Sequence, residues 1–132
     1  MTSRVLIVED DALNGLLFEE SLRIDGFETE LVADGAQVLA AVGRFCPDLI
    51  MMDIGLPHVS GLELIEQLKA QATTAAIPIL AISGYATDDV REEVTGAGAD
   101  GYLVKPVATE VMMREARRIL GPDAPESGGA LH

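Results

Sequence analysis

Residues 49–57 read Leu-Ile-Met-Met-Asp-Ile-Gly-Leu-Pro, an apolar run that is closed by a single acid, Asp53. Three further apolar runs are bounded by charged residues, glycine or proline: Val5–Val8, Ile79–Ile82 and Tyr102–Val104. Short runs without polar alternation are typical of strands that are covered on both faces, as in parallel sheets. Phe27–Val32 mixes apolar residues with acids and is predicted to form an edge strand. The sequence thus predicts five strands.

Apolar residues at helical spacing separate these strands. Three segments show the spacing: Leu13, Leu16, Leu17 and Ile24; Leu62, Ile65 and Leu68; and Met112, Ala116 and Ile119. Val38–Val42 and Thr87–Ala97 complete five predicted helices. Side-chain caps, which satisfy the first N–H groups of a helix, are predicted at three starts: Asp11, the pair Asp34 and Gln37, and the pair Ser60 and Glu63.

Strict alternation of strand and helix with short linkers predicts right-handed crossovers and a parallel sheet. We expect an α/β, (βα)5 flavodoxin-like fold with strand order 2-1-3-4-5 and helices on both faces. A length of 132 residues with 48% apolar composition suits one domain. We assign residues 1–120 to that domain. Residues 121–132 are rich in Gly, Pro, Ser and acids and are predicted to be a disordered tail.

Charge excludes several classes of function. Lys and Arg number 9 against 22 Asp and Glu, a formal charge of -13, which repels nucleic acid and negatively charged membranes. The single cysteine cannot form an internal disulfide. The short apolar run near the N-terminus does not have the form of a signal peptide, and no run has the length of a transmembrane helix. We therefore expect a cytoplasmic protein that binds neither nucleic acid nor membrane.

Polar residues follow four of the predicted strands. In an open parallel sheet, ligands bind beyond the carboxyl ends of the strands, where the strand order reverses. The residues at those ends are Glu9 and Asp10, Asp53, Ser83, and Lys105 followed by Pro106. Singly, each has an ordinary interpretation as a helix cap, a turn residue or a solvated lysine. Together, they are predicted to converge at one edge of the sheet.

The predicted cluster suits phosphoryl transfer. Three carboxylates at one edge repel by roughly a few kcal/mol per close pair, so a cation is expected among them. Oxygen ligands alone suit Mg²⁺. A carboxylate can attack phosphorus to give an aspartyl phosphate. Mg²⁺, the Lys105 ammonium and the Ser83 hydroxyl with nearby N–H groups can then neutralise three phosphoryl oxygens.

The sequence resembles the receiver domains of two-component response regulators over roughly residues 4–120. The motifs that carry the resemblance are Val-Glu-Asp-Asp at 8–11, Met-Asp-Ile-Gly-Leu-Pro at 52–57, Ser-Gly-Tyr-Ala at 83–86 and Tyr-Leu-Val-Lys-Pro at 102–106. The resemblance implies that Asp53 is phosphorylated and that Ser83 and Lys105 bind the phosphoryl group. It also implies a Mg²⁺ or Mn²⁺ site formed by Glu9, Asp10, Asp53 and the backbone carbonyl of Gly55.

Tyr102 matches the switch aromatic of that family, although its position also suits an ordinary edge-strand ring. By the resemblance, the Ser83 hydroxyl moves toward the phosphoryl group, Tyr102 turns inward, and the surface of the fourth helix, fifth strand and fifth helix changes. Tyr85, two residues beyond Ser83, is predicted to overhang the phosphoryl group and to restrict the attacking water.

The implied partners are a sensor histidine kinase or histidine phosphotransfer protein and a downstream protein target. The implied donor docks where the first helix and the loop after the fifth strand border the site. Because no output domain follows residue 120 in the sequence, a stand-alone regulator is expected. The oligomeric state remains open between a monomer and a weak homodimer. We expect no turnover of a separate substrate.

Three other interpretations fit the sequence less well. An aspartate-based, haloacid dehalogenase-like phosphohydrolase would have a second Asp two residues after the nucleophile, where this chain has Gly55. A receiver-like scaffold that binds partners without phosphorylation would not need every acceptor-site residue type. Gly96, Gly98 and Gly101 spell a dinucleotide fingerprint, but they follow a predicted helix and precede a strand, the reverse of the required order.

Overall fold

Five parallel strands form the centre of a computed structural model, which describes residues 3–85 and 87–121. The strands are β1 (Arg4–Val8), β2 (Glu28–Val32), β3 (Leu49–Asp53), β4 (Ile79–Ser83) and β5 (Gly101–Val104). They pair in the order β2-β1-β3-β4-β5. The predicted fold class and strand order are confirmed. The order reverses between β1 and β3, so their carboxyl ends border the crevice in which such folds bind ligands.

Helices cover both faces of the sheet. They are α1 (Ala12–Ile24), α2 (Val38–Phe45), α3 (Gly61–Ala70), α4 (Asp88–Ala97) and α5 (Thr109–Leu120). α2, α3 and α4 pack on one face through a core that includes Val38, Ile65 and Val94. α1 and α5 pack on the other face around Phe18 and Met112. The central strands β3 and β4 are buried at every residue, as their unbroken apolar runs predicted.

The apolar residues that predicted α1 lie on its exposed side. We call Leu13, Leu16, Leu17 and Ile24, which are 67%, 59%, 49% and 74% exposed, the α1 stripe. The helix instead buries Gly15, Phe18, Glu19 and Leu22 against the sheet. Glu19 can be buried there because its carboxylate accepts hydrogen bonds from the Thr29 hydroxyl and the Arg23 guanidinium. The helix was therefore predicted correctly, but its stripe does not face the core.

Two further expectations need correction. β5 is an edge strand with half-buried residues and an exposed Val104, so it is not covered on both faces. Asp34 accepts a hydrogen bond from Ala36 N–H and caps a 3-10 turn, and α2 begins only after Gln37. The caps at Asp11 and Ser60 are present, since their side chains accept hydrogen bonds from Asn14 and Glu63 N–H at 3.0 and 3.4 Å.

α5 ends at Leu120, and Gly121 follows it in a positive-φ conformation. The rest of the predicted tail, residues 122–132, lies outside the described residues. None of the described helices has both the length and the apolar character required to cross a lipid bilayer.

Candidate functional site

The strand register brings the predicted polar residues to one edge of the sheet. Val8 pairs with Met52, so Glu9 and Asp53 follow side by side on neighbouring strands. Ser83 pairs with Val104, and Lys105 comes directly after that pair. Because all five strands are parallel, these side chains start from the same end of the sheet.

Lys105 joins the two buried carboxylates. Its Nζ lies 2.9 Å from Asp53 Oδ2, 3.1 Å from Glu9 Oε1 and 3.3 Å from Glu9 Oε2. Glu9 and Asp53 are 2% and 3% exposed, so neither carboxylate is well solvated. The ammonium supplies the positive charge that a pair of buried acids requires. Its own side chain is 27% exposed, which leaves the site open to solvent at the lysine.

Three acids are close enough to share a cation. One carboxylate oxygen each from Glu9, Asp10 and Asp53 lies within 4.8 Å of the others, and Asp10 is exposed. Glu9 Oε1 is buried and accepts no hydrogen bond from any described residue; Lys105 Nζ, although 3.1 Å away, lacks hydrogen-bond geometry toward it. An oxygen-only donor set with an unsatisfied buried carboxylate oxygen fits a small, hard divalent cation such as Mg²⁺.

The backbone after β3 also contacts Asp53. Gly55 lies in the exposed turn that follows Asp53, and its N–H donates to Asp53 Oδ1 at 2.9 Å. Asp53 Oδ1 accepts from Gly55 N–H, and Asp53 Oδ2 accepts from Lys105 Nζ. An ionised carboxylate has about four lone-pair sites, so capacity remains for a cation and for a reacting phosphorus.

Burial and hydrogen bonding together shift the pKa values of the two buried acids in opposite directions. Burial, followed by the neighbouring Asp53, raises the pKa of Glu9 to about 7, against the opposing effects of Asp11 N–H and Lys105. Burial would also raise the pKa of Asp53, but hydrogen bonds with Lys105, Glu9 and Gly55 N–H outweigh it and lower that pKa. Burial opposes the charge of Lys105, yet its contacts with both acids raise its pKa. At neutral pH, Asp53 is ionised and Lys105 is protonated.

A chain of hydrogen bonds leads away from Ser83, which is fully buried at the end of β4. Ser83 Oγ accepts a hydrogen bond from Tyr85 N–H at 3.0 Å, and Tyr85 C=O accepts one from the Tyr102 hydroxyl at 2.5 Å. We call these three residues the hydroxyl relay. The half-buried ring of Tyr102 packs against the core on the α4 side of the sheet. The Tyr85 side chain is 65% exposed at the edge of the site.

The relay passes through backbone groups that the sequence did not single out. Tyr85 was predicted to act through its ring, but its N–H and C=O make the two contacts. Every residue except proline offers the same two groups, so no residue type signals such a role. The hydrogen bond from Gly55 N–H to Asp53 likewise could not be predicted from residue type.

Comparisons with known proteins agree with this geometry. Residues 5–117 match the family model described as the response regulator receiver domain. The polar-differentiation response regulator DivK of Brucella ovis is 36% identical over 121 residues, which cover 92% of this chain and 98% of the relative.

Solved structures agree as well. The receiver domain of sensor histidine kinase PA1611 from Pseudomonas aeruginosa, which has a magnesium ion coordinated in its active site cleft, is 33% identical with a TM-score of 0.82; the match covers 92% of this chain and 99% of that one. Chemotaxis response regulator CheY4 of Vibrio cholerae is 28% identical with a TM-score of 0.85 and coverages of 90% and 99%.

Proposed function

Since this chain belongs to the response regulator receiver family, we propose that it accepts a phosphoryl group from a phosphohistidine donor onto Asp53, with Mg²⁺ or Mn²⁺ as cofactor, and signals through changed protein contacts. The observation that carries the proposal is the contact of Lys105 with two buried carboxylates, Asp53 and Glu9. On this proposal residues 1–120 are the receiver domain.

Asp53 is the nucleophile in this mechanism. Its lowered pKa keeps the carboxylate ionised at neutral pH. One carboxylate oxygen forms a bond to phosphorus while the phosphorus–nitrogen bond of the donor breaks, and the imidazole leaves with the electron pair and takes up a proton. Hydrogen bonds from Gly55 and Lys105 hold the carboxylate in place, so little reorganisation is needed before attack.

Lys105 and Ser83 are assigned to the phosphoryl group. The Lys105 ammonium lies 2.9 Å from Asp53 Oδ2, within reach of an oxygen on a phosphorus bound there. The Ser83 hydroxyl accepts a hydrogen bond from Tyr85 N–H and retains its own proton to donate to a second oxygen. Charge stabilisation of this kind is the main source of catalysis in phosphoryl transfer.

Glu9, Asp10, Asp53 and the carbonyl of Gly55 are the proposed ligands of the divalent cation. When bound, Mg²⁺ supplies neutralisation of the acids and of the incoming phosphoryl charge. The unsatisfied Oε1 of Glu9 and the closeness of the three carboxylates support this assignment. Asp10 is exposed, which gives the cation a path from solvent.

The signal is proposed to leave through α4, β5 and α5. If Ser83 Oγ moves toward a phosphoryl oxygen, its contact with Tyr85 N–H is lost, and the backbone that receives the Tyr102 hydroxyl is free to shift. Tyr102 lines a groove of about 300 Å³ together with Arg91, Glu115 and Arg118. Turning of this ring would change the surface presented to a downstream protein, which is a population shift between two states.

The donor is proposed to dock on α1 and on the loop after β5. The α1 stripe presents four large apolar side chains to solvent, beginning directly after the acids of the site. Pro106 is exposed in the loop that follows Lys105. Contiguous exposed apolar residues mark protein interaction sites. A sensor kinase or phosphotransfer protein that presents an apolar surface beside its phosphohistidine would fit this arrangement.

The experiment is an intact-mass measurement with acetyl phosphate, with Mg²⁺ or with excess chelator. We expect wild type to gain one phosphoryl group only with Mg²⁺, and Asp53→Asn to gain none. Asp89→Asn, which removes an exposed acid from α4, is the matched control and should behave as wild type. Phosphorylation of Asp53→Asn, or none of wild type with Mg²⁺, would overturn the proposal.

A second assay separates this proposal from a phosphohydrolase. Gly55 has no side chain to act as the acid or base that such an enzyme places two residues after its nucleophile. We expect p-nitrophenyl phosphate not to be turned over, and acetyl phosphate to be consumed only through phosphorylated Asp53. Multiple turnovers of p-nitrophenyl phosphate that depend on Asp53 would instead support the enzyme.

A further inference from the structure

A cation–π contact joins α4 to the tyrosine of β5. The guanidinium carbon of Arg91 lies 5.7 Å from the centroid of the Tyr102 ring. This is within the distance of about 6 Å at which an aromatic face attracts a cation. Arg91 is exposed on α4 and Tyr102 is half-buried on β5, so the contact spans the two elements that border the groove.

Arg91 differs from the neighbouring basic residues in its contacts. Among the lysines and arginines of residues 3–85 and 87–121, Arg91 and Arg114 are the two that form no ion pair. Arg118, which lines the same groove, is hydrogen-bonded to both oxygens of Glu115. The ring of Tyr102 is therefore the contact that places the Arg91 guanidinium.

The same ring orientation serves the hydroxyl relay. The Tyr102 hydroxyl reaches Tyr85 C=O at 2.5 Å only while the ring lies along the α4 side of β5. Rotation of the side chain to another rotamer would break this hydrogen bond and the contact with Arg91 together. A group that attracts the ring face thus favours the orientation in which the relay is complete.

We propose that Arg91 is a positioning residue that holds Tyr102 in the orientation bonded to Tyr85 and so sets the resting balance of the switch. The inference rests on the proposed function, in which Tyr102 is the switch aromatic. An exposed cation–π pair corresponds to a change in population of about two- to fivefold. Loss of Arg91 therefore biases the switch without abolishing it.

The chain is well suited to a spectroscopic test, because it has two tyrosines and no tryptophan. We would label the full chain with 3-fluorotyrosine and record ¹⁹F NMR spectra of the unphosphorylated protein. Tyr85→Phe assigns the two resonances. The variants are Arg91→Met, which keeps the aliphatic stem, Arg91→Lys, which keeps the charge, and Arg114→Met, which removes the other unpaired arginine.

We expect Arg91→Met to shift the Tyr102 resonance toward that of the alternative orientation, with a population change of about two- to fivefold. Arg91→Lys should restore part of the wild-type spectrum, and Arg114→Met should leave it unchanged. A Tyr102 resonance in Arg91→Met identical to that of wild type would overturn the inference. So would an equal shift in Arg114→Met.

This outcome is independent of phosphorylation, because the resting protein is measured. If acetyl phosphate modifies Asp53 but Arg91→Met does not move the Tyr102 resonance, the inference fails and the proposed function stands. If Asp53 is never modified but the resonance moves, the contact is as inferred, and the proposed function is the part that fails.

Discussion

Glu9 is a buried acid whose pKa is raised by its surroundings. It is 2% exposed, its pKa is raised to about 7, and it lies beside the ionised Asp53. The sequence predicted that acids would gather here, because the residues at the carboxyl ends of the strands could be read directly. It could not predict which acids would be buried, since burial depends on how the loops pack around the strand ends. The contacts that Asp11 N–H and Lys105 make with these acids follow from that packing.

The raised pKa of Glu9 predicts a pH dependence for the metal-free protein. The folded state holds a proton on Glu9 between pH 4.5 and about 7, a range in which the unfolded chain has lost it. The free energy of unfolding should therefore fall as pH rises through this window. One pKa unit corresponds to about 1.4 kcal/mol, so the loss is on the order of 1–3 kcal/mol.

Urea denaturation from pH 4.5 to 7.5, with chelator present, measures this loss. Glu9→Gln cannot titrate, so its stability curve should lack the decline. Asp53 contributes in the opposite sense, because its lowered pKa adds stability that is lost as pH falls. Subtracting the Glu9→Gln stability curve from the wild-type curve largely removes this contribution. Parallel curves for wild type and Glu9→Gln would contradict the prediction.

Tyr85 is predicted to set the lifetime of the phosphoryl group. Its side chain is 65% exposed, two residues after Ser83, and we expect the ring to restrict the approach of water to phosphorus. Tyr85→Ala should accelerate dephosphorylation several-fold, and Tyr85→Phe, which keeps the ring, should not. Decay of the phosphorylated mass after removal of donor measures both rates. An unchanged rate in Tyr85→Ala would show that the ring has no such role.

The close approach of α3 to β3 positions Asp53. Gly61, the first residue of α3, is buried under the end of β3. A Cβ at this position would lie 2.7 Å from both the carbonyl oxygen of Asp53 and the Cα of Ile54. Both neighbours are backbone atoms, so the strand itself would have to move.

Gly61→Ala should therefore destabilise the fold by about 1–3 kcal/mol, which is typical of overpacking. It should also slow phosphorylation by acetyl phosphate, because Asp53 is displaced. Gly43→Ala in α2 is the control, since a Cβ there meets nothing within 4 Å. That change should stabilise by up to about 1 kcal/mol. Equal effects of the two substitutions in chemical denaturation would refute this account.

α1 shows why helical spacing can predict a helix without identifying its buried face. The helix has two apolar sides, the α1 stripe and the side with Phe18 and Leu22, and spacing alone does not say which one meets the sheet. The buried side also contains Glu19, whose partner Thr29 is on β2 and is distant in sequence. The strands were easier to predict, because the buried runs of β3 and β4 have no competing polar face.

The exposed α1 stripe predicts a specific defect in phosphotransfer. Leu16→Glu should slow transfer from a phosphohistidine donor protein by tenfold or more, because a charge replaces an apolar contact at the interface. Phosphorylation by acetyl phosphate should remain normal. Leu39→Glu, at an exposed leucine of α2, is the matched control. Equal rates of protein-to-protein transfer in wild type and Leu16→Glu would exclude the stripe from docking.

The excess of acids in the chain is predicted to couple folding to cation binding. The formal charge is -13, and three of the acids share one small region. A ligand that binds only the folded state adds stability in proportion to the logarithm of its concentration over Kd. Mg²⁺ at about a hundred times its Kd should add about 2.7 kcal/mol.

Thermal unfolding with and without Mg²⁺ tests this coupling, with ionic strength held constant by KCl. Wild type and Asp89→Asn should show the same rise in Tm. Asp10→Asn should lose most of it, because Asp10 is an exposed member of the acid cluster whose substitution need not disturb the core. A rise in Tm that persists in Asp10→Asn would assign the stabilisation to general screening of charge.

The arrangement of Tyr85 separates two properties of the signal. Its peptide groups connect Ser83 to Tyr102, whereas its side chain is 65% exposed to solvent. Substitution of that one side chain is therefore predicted to change the duration of phosphorylation while the hydrogen bonds that link Ser83 to Tyr102 are kept. Variants at this position would form a series that differs in the rate of dephosphorylation and shares one route to the α4, β5 and α5 surface.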